Sequence, residues 1–228
     1  MFMYKIYKNF IFILVLFISN IAFADMVDDK PRKQTELPSA FFTAVNEQLS
    51  LSSKNIFYNQ MLEPRALESF DNRFIIVHFW ASWCMECKNE IIALNDLQKE
   101  FRKKHLLVIA ISEDFKGSVA IDDYFTRYKI DYLDIYIDKK NKIYQGLNIN
   151  HLPATYLMNF DGRIIAKSIP GYSINWYDKD IRNYLDDMVV KHQLLPPEYK
   201  KTRDKFELPK EDDKNKKPIQ KKSRIFNY

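Results

Sequence analysis

The chain has 228 residues, 46% of them hydrophobic, which is enough for one globular domain with extensions. Its four glycines, Gly117, Gly146, Gly162 and Gly171, stand far apart, so no glycine-rich phosphate loop can be built and nucleotide chemistry is disfavoured. The formal charge of +5 sits at the ends: residues 197–228 carry 11 Lys/Arg against 6 Asp/Glu, and Lys5 and Lys8 add two more, leaving 25–196 at about −2. No basic stripe with interleaved aromatics marks a nucleic-acid surface.

Residues 1–24 read as an export signal: Lys5 and Lys8, an apolar run over 10–18, then Ala22-Phe23-Ala24 before Asp25. Cleavage before Asp25 is expected, and the alternative is an uncleaved anchor, for which the run is short. Residues 25–54 form a polar N-terminal extension. The stretch 59–70 suits a short helix or an irregular cap. Residues 73–80 (RFIIVHFW) are a continuous β-branched and aromatic run, as in a strand buried on both faces. From Cys84 to Lys104, Ile91, Ile92, Leu94, Leu97 and Phe101 recur at helical spacing.

A second buried strand is expected at 105–111 and a helix at 118–128, with Val119, Ile121, Tyr124 and Phe125 on one side. A short strand follows at 134–138 and a short helix at 141–147. Strands at 154–160 and 163–168 flank Asp161-Gly162, a hairpin signal. A last helix over 176–190 stops at Pro196-Pro197. The Lys-rich remainder, 193–228, has the composition of a disordered tail. Alternating strands and helices followed by a hairpin predict an α/β domain, a mixed central sheet with helices on both faces.

Cys84 and Cys87 are the chain's two cysteines. A bridge across two residues closes a tiny loop and removes little unfolded-state entropy, so redox use is favoured over a structural role. A zinc site needs two further ligands at suitable spacing, and the histidines are scattered at positions 78, 105, 151 and 192. Cys84 is expected at the start of a helix, where unpaired N–H groups favour a thiolate, with Cys87 one turn inside as the resolving sulfur. Glu86, between them, opposes the thiolate.

The segment Val77-His78-Phe79-Trp80-Ala81-Ser82-Trp83-Cys84-Met85-Glu86-Cys87 resembles the active-site strand and turn of thioredoxins, most closely the exported TlpA/ResA/DsbE-like branch. The stretch between Gly146 and Gly171, with LPATYLMNFDGRI inside it, is similar to the same branch. The resemblance covers residues 55–190. It implies a thioredoxin-like fold (domain 55–192), a cis Leu152–Pro153 bond facing the cysteines, and substrate docking along Trp83, Leu152 and Pro153.

The resemblance also implies a functional carboxylate at Glu90, whose alternative is a solvated helix face. At His78 the chain departs from the buried Asp of thioredoxins and the frequent Asn of the exported branch, and the residue is read either as a base for Cys87 or as a neutral, hydrogen-bonded core histidine. His151 is read as a loop residue and Trp80 as core. The function implied is a periplasmic thiol–disulfide oxidoreductase on protein substrates, reductant favoured, with a role in cytochrome c biogenesis and a membrane redox donor. No cofactor or metal is expected, and no nucleic acid. Membrane contact is confined to an uncleaved N-terminus or the basic tail. The alternatives are an oxidase or isomerase for exported proteins, or a non-catalytic binding or copper-carrier module on the same fold.

Overall fold

The computed structural model describes residues 35–45, 56–70, 73–115 and 117–193. All of them belong to one compact unit that begins at Thr35. The expected signal segment 1–24 and the tail from 194 onward lie outside the described residues.

The two apolar runs become the centre of the sheet. β4 (Phe74–Trp80) and β5 (Leu106–Ser112) are buried along their whole length and pair in parallel, Phe74 beside Leu106 through Trp80 beside Ser112. Burial of both faces is why these strands lack polar alternation. Around them lie β1 (Phe42–Ala44), β2 (Ile56–Asn59), β3 (Pro64–Ala66), β6 (Tyr136–Ile137), β7 (Ala154–Met158) and β8 (Ile164–Ser168), in the order β1-β8-β7-β4-β5-β6-β2-β3. β5 and β6 are parallel, and β7 runs antiparallel to both β4 and β8. The mixed sheet expected from the sequence is therefore present.

Alternate residues of the central strands feed two apolar clusters. Phe74, Ile76 and Trp80 point to a side covered by α1 (Cys87–Phe101), α2 (Ser118–Tyr128) and α4 (Lys179–Gln193). Ile75, Val77 and Phe79 point to the other, which holds Ile143 of α3 (Lys142–Gly146), Phe57 and Ile149. At the β7–β8 turn Gly162 takes φ 78°, a conformation that suits glycine, and its N–H donates to the Asn159 carbonyl.

Four details differ from the sequence reading. The stretch 59–70 is not a helix: β2 and β3 form a hairpin, followed by a single 3-10 turn at Leu67–Ser69. The Asn59 side-chain oxygen accepts N–H bonds from Met61 and Glu63, so the asparagine builds the turn itself. Within the polar extension, residues 42–44 form β1 on β8, and Phe42 packs edge-on against Trp176. Val119 is exposed, unlike Ile121, Tyr124 and Phe125. Finally, α1 begins at Cys87, three residues later than expected.

Candidate active site

The end of β4 runs into a turn that Asp114 holds. Its carboxylate accepts from the Ser82 N–H (2.8 Å), the Ser82 hydroxyl (2.6 Å) and the Ser112 hydroxyl (2.7 Å). This clamp ties Ser82, at the start of the turn, to the end of β5. Asp114→Ala is expected to cost roughly 2 kcal/mol, because three hydrogen bonds to one carboxylate are lost. Urea denaturation reads this, and an unchanged midpoint would show that the turn is held by other contacts.

Cys84 and Cys87 form a disulfide, with Cα atoms 5.3 Å apart. Cys84 lies in the turn and Cys87 is the first residue of α1, so the expectation of Cys84 inside the helix is corrected. Its electrostatic consequence is retained. The Cys87 N–H, one of the unpaired donors of the helix start, points at Cys84 Sγ at 3.2 Å. Cys84 keeps a little exposure (5%), whereas Cys87 has none. Glu86 Oε2 stands 4.0 Å from Cys84 Sγ. Trp83 and Met85 flank the disulfide and are largely exposed, while Trp80 is core, stacked on Phe125.

Glu90 is buried rather than solvated. One oxygen accepts from the Ser173 hydroxyl and the Ile174 N–H, the other from the Trp176 indole N–H. Burial pushes its pKa up from the ordinary carboxylate value, and the three donors offset part of that shift. Cys87 and Glu90 are three apart on α1 and share a face, with Cβ atoms about 5–6 Å apart. Sequence reasoning missed the 173–176 donors, since nothing local links them to position 90.

His78 sits opposite Thr155 in the β4–β7 register and its Nδ1 meets the Thr155 hydroxyl at 2.9 Å. The same nitrogen is 3.9 Å from Glu90 Oε2. Burial pulls its pKa down to about 3, so the ring is neutral. The Leu152–Pro153 bond is cis. Leu152 packs against both clusters, including the one that holds the disulfide. His151 lies in the preceding loop, with Nδ1 at 2.7 Å from the Asn150 side-chain oxygen. Among the described residues no group of three or more His, Cys, Asp or Glu is placed to hold a metal.

A central parallel pair with an antiparallel hairpin beside it, a Cys-x-x-Cys turn leading into a helix, and a cis proline in the loop before β7 define a thioredoxin-like fold with a redox-active cysteine pair. The chain belongs to the AhpC/TSA family, whose pattern covers residues 48–167.

Among curated proteins, it is 27% identical over 110 residues to the thiol-disulfide oxidoreductase ResA of a Bacillus cereus strain, covering 47% of this chain and 62% of that one. ResA of Oceanobacillus iheyensis is 26% identical over 98 residues, covering 43% and 50%. The chain thus spans about six tenths or less of the length of these relatives. Among solved structures, MTB dsbF in its mixed oxidized and reduced forms aligns with TM-score 0.50 at 13% identity, covering 60% of this chain and 99% of that one, a likeness of fold.

Proposed function

We propose that this protein is a thiol–disulfide oxidoreductase of an exported, periplasm-like compartment, working on protein substrates and running as a reductant. The observation that carries the reading is the asymmetry of the cysteine pair: Cys84 reaches the surface with a helix-start N–H on its sulfur, and Cys87 is sealed beside a buried carboxylate. The named relatives and the export-type segment 1–24 support it.

In the reduced protein, the Cys84 thiolate attacks one sulfur of a substrate disulfide. The substrate S–S bond breaks and a mixed disulfide forms. The Cys87 thiol then gives its proton to Glu90 and attacks Cys84 Sγ, which expels the second substrate thiolate and forms the Cys84–Cys87 bond. Two electrons have passed to the substrate. A dithiol donor at the membrane restores the pair, since that compartment is oxidising. Keeping cytochrome c apoprotein cysteines reduced is a task that fits this direction. Trp83, Leu152 and Pro153 form the docking surface, and His78 supports Glu90 as a neutral core group.

Cys87→Ser is expected to accumulate mixed disulfides with exported proteins in cells, all through Cys84. No adducts, or the same adducts in a Cys84→Ser/Cys87→Ser double variant, would sink the reading. The midpoint potential sets the direction: a value near about −270 mV marks a reductant, and one near about −120 mV an oxidant of exported proteins.

A further inference from the structure

Behind the cis proline lies a cavity of about 220 Å³ that the disulfide chemistry does not use. Its walls come from residues 147–151, just before Leu152, and from β7 and β8 just after it. The polar groups on it are unusual in sign. Lys167, Asn148, Asn150, His151, Thr155 and Tyr156 line it, and among the described residues no acidic one does. Lys167 is exposed at its mouth and faces Tyr156 in the β7–β8 register.

His151 is the second pointer. Its Nδ1 lies 2.7 Å from the Asn150 side-chain oxygen, which leaves Nε2 as the ring nitrogen to account for. That nitrogen is shielded from solvent and has no hydrogen-bond partner among the described residues. A shielded polar atom of this kind costs free energy unless a partner meets it. A carboxylate at the cavity satisfies Lys167 directly. The side-chain amides of Asn148 and Asn150 offer further N–H donors on the same lining.

We propose that this cavity is a carboxylate subsite, filled by an acidic side chain of the polypeptide whose disulfide meets Cys84. The inference rests on the function proposed above. Leu152 links the two places: it packs against the cluster that holds Cys84 and Cys87, and His151 before it and Ala154 beyond Pro153 line the cavity. A substrate lying in extended form along 152–153 carries its next side chains over the cavity mouth, at about 3.3 Å per residue. The same chemistry is offered by a small free acid, and the two sources separate experimentally.

The test uses peptides with one disulfide, in which a single Glu, Gln or Lys is walked through the four residues on either side of the reacting cysteine. At one position, Glu in place of Gln is expected to lower KM roughly three- to fivefold with kcat unchanged, an effect that fades with salt. Lys167→Glu is expected to move the preference at that position from Glu to Lys.

In parallel, acetate is titrated while the His151 ring resonances are followed by NMR. Acetate that shifts them in the wild type but not in Lys167→Ala supports the carboxylate site even if no peptide is reduced, a result that would remove the proposed function alone. A Glu preference without any acetate response assigns the site to the polypeptide. Acetate binding without a Glu preference assigns it to a free acid and overturns the polypeptide half of the proposal. One KM for Glu, Gln and Lys peptides at every position, with no acetate response, overturns the whole.

Discussion

Glu113→Gln is expected to make the protein gain stability relative to wild type as pH rises, by up to about 1.4 kcal/mol for each pH unit between roughly 5 and 9. Glu113 follows β5, and its N–H is held by the Trp80 carbonyl at 2.9 Å. The side chain is buried and neither carboxyl oxygen has a hydrogen-bond partner among the described residues. Burial first, and then the charges of Asp138 and Asp114, push its pKa up to about 9.

The sign follows from proton binding. Folded protein keeps the Glu113 proton up to about pH 9, whereas the unfolded chain releases it near 4.5. Native stability attributable to this group is therefore fully present below about pH 4.5 and is lost as pH rises to about 9. At pH 7 the accumulated loss is roughly 3 kcal/mol. Glutamine has the same shape and no charge to lose. Its amide meets the same unpartnered surroundings, so the quantity to read is the slope against pH, not one absolute value. Urea denaturation of both proteins at pH 5, 7 and 8.5 gives that slope. Parallel stability curves would show that Glu113 reaches solvent or a cation in solution.

Glu90→Gln is expected to slow the resolving step by roughly a hundredfold, the lower end of what a positioned proton acceptor contributes. The carboxylate shares a helix face with Cys87, and burial raises its pKa toward that of a thiol, which improves the match for proton transfer. Glutamine retains the oxygen that accepts from Ile174 and Ser173, so the fold loses less than the chemistry does. His78→Asn is expected to leave that rate within about twofold of wild type, because the ring, with its pKa near 3, is neutral throughout the working range. Rapid-quench measurement of mixed-disulfide decay across pH 5–9 separates the two. A bend near the ordinary histidine value of about 6.5 that disappears in His78→Asn would make His78 the proton acceptor instead.

Much of the fold was legible because its signals are local. The runs 73–80 and 105–111 are so apolar that burial on both faces is their only stable setting, and they are β4 and β5. Asp161-Gly162 announces the β7–β8 turn, where glycine takes a positive φ. The cis bond at Leu152–Pro153 was legible through the family resemblance alone, since nothing in the local residues favours it over trans.

The sequence by itself determined the class of chemistry: two cysteines at Cys-x-x-Cys spacing, a buried strand before them and a helical pattern after them leave few alternatives. Tertiary structure decided how the site is tuned. Whether Glu90 is a solvated charge or a buried one depends on a loop more than eighty residues away, whose Ser173, Ile174 and Trp176 close over it. The turn before α1 is tied at Ser82 by Asp114, thirty-two residues away, a contact that a helical pattern read from sequence does not contain. Phe42 packs as an edge-strand residue against Trp176, and Glu113 owes its raised pKa first to burial and then to Asp138 and Asp114. Periodicity and spacing record what a residue offers its near neighbours. Desolvation, long-range hydrogen bonds and the field of distant carboxylates exist only once the chain has closed on itself.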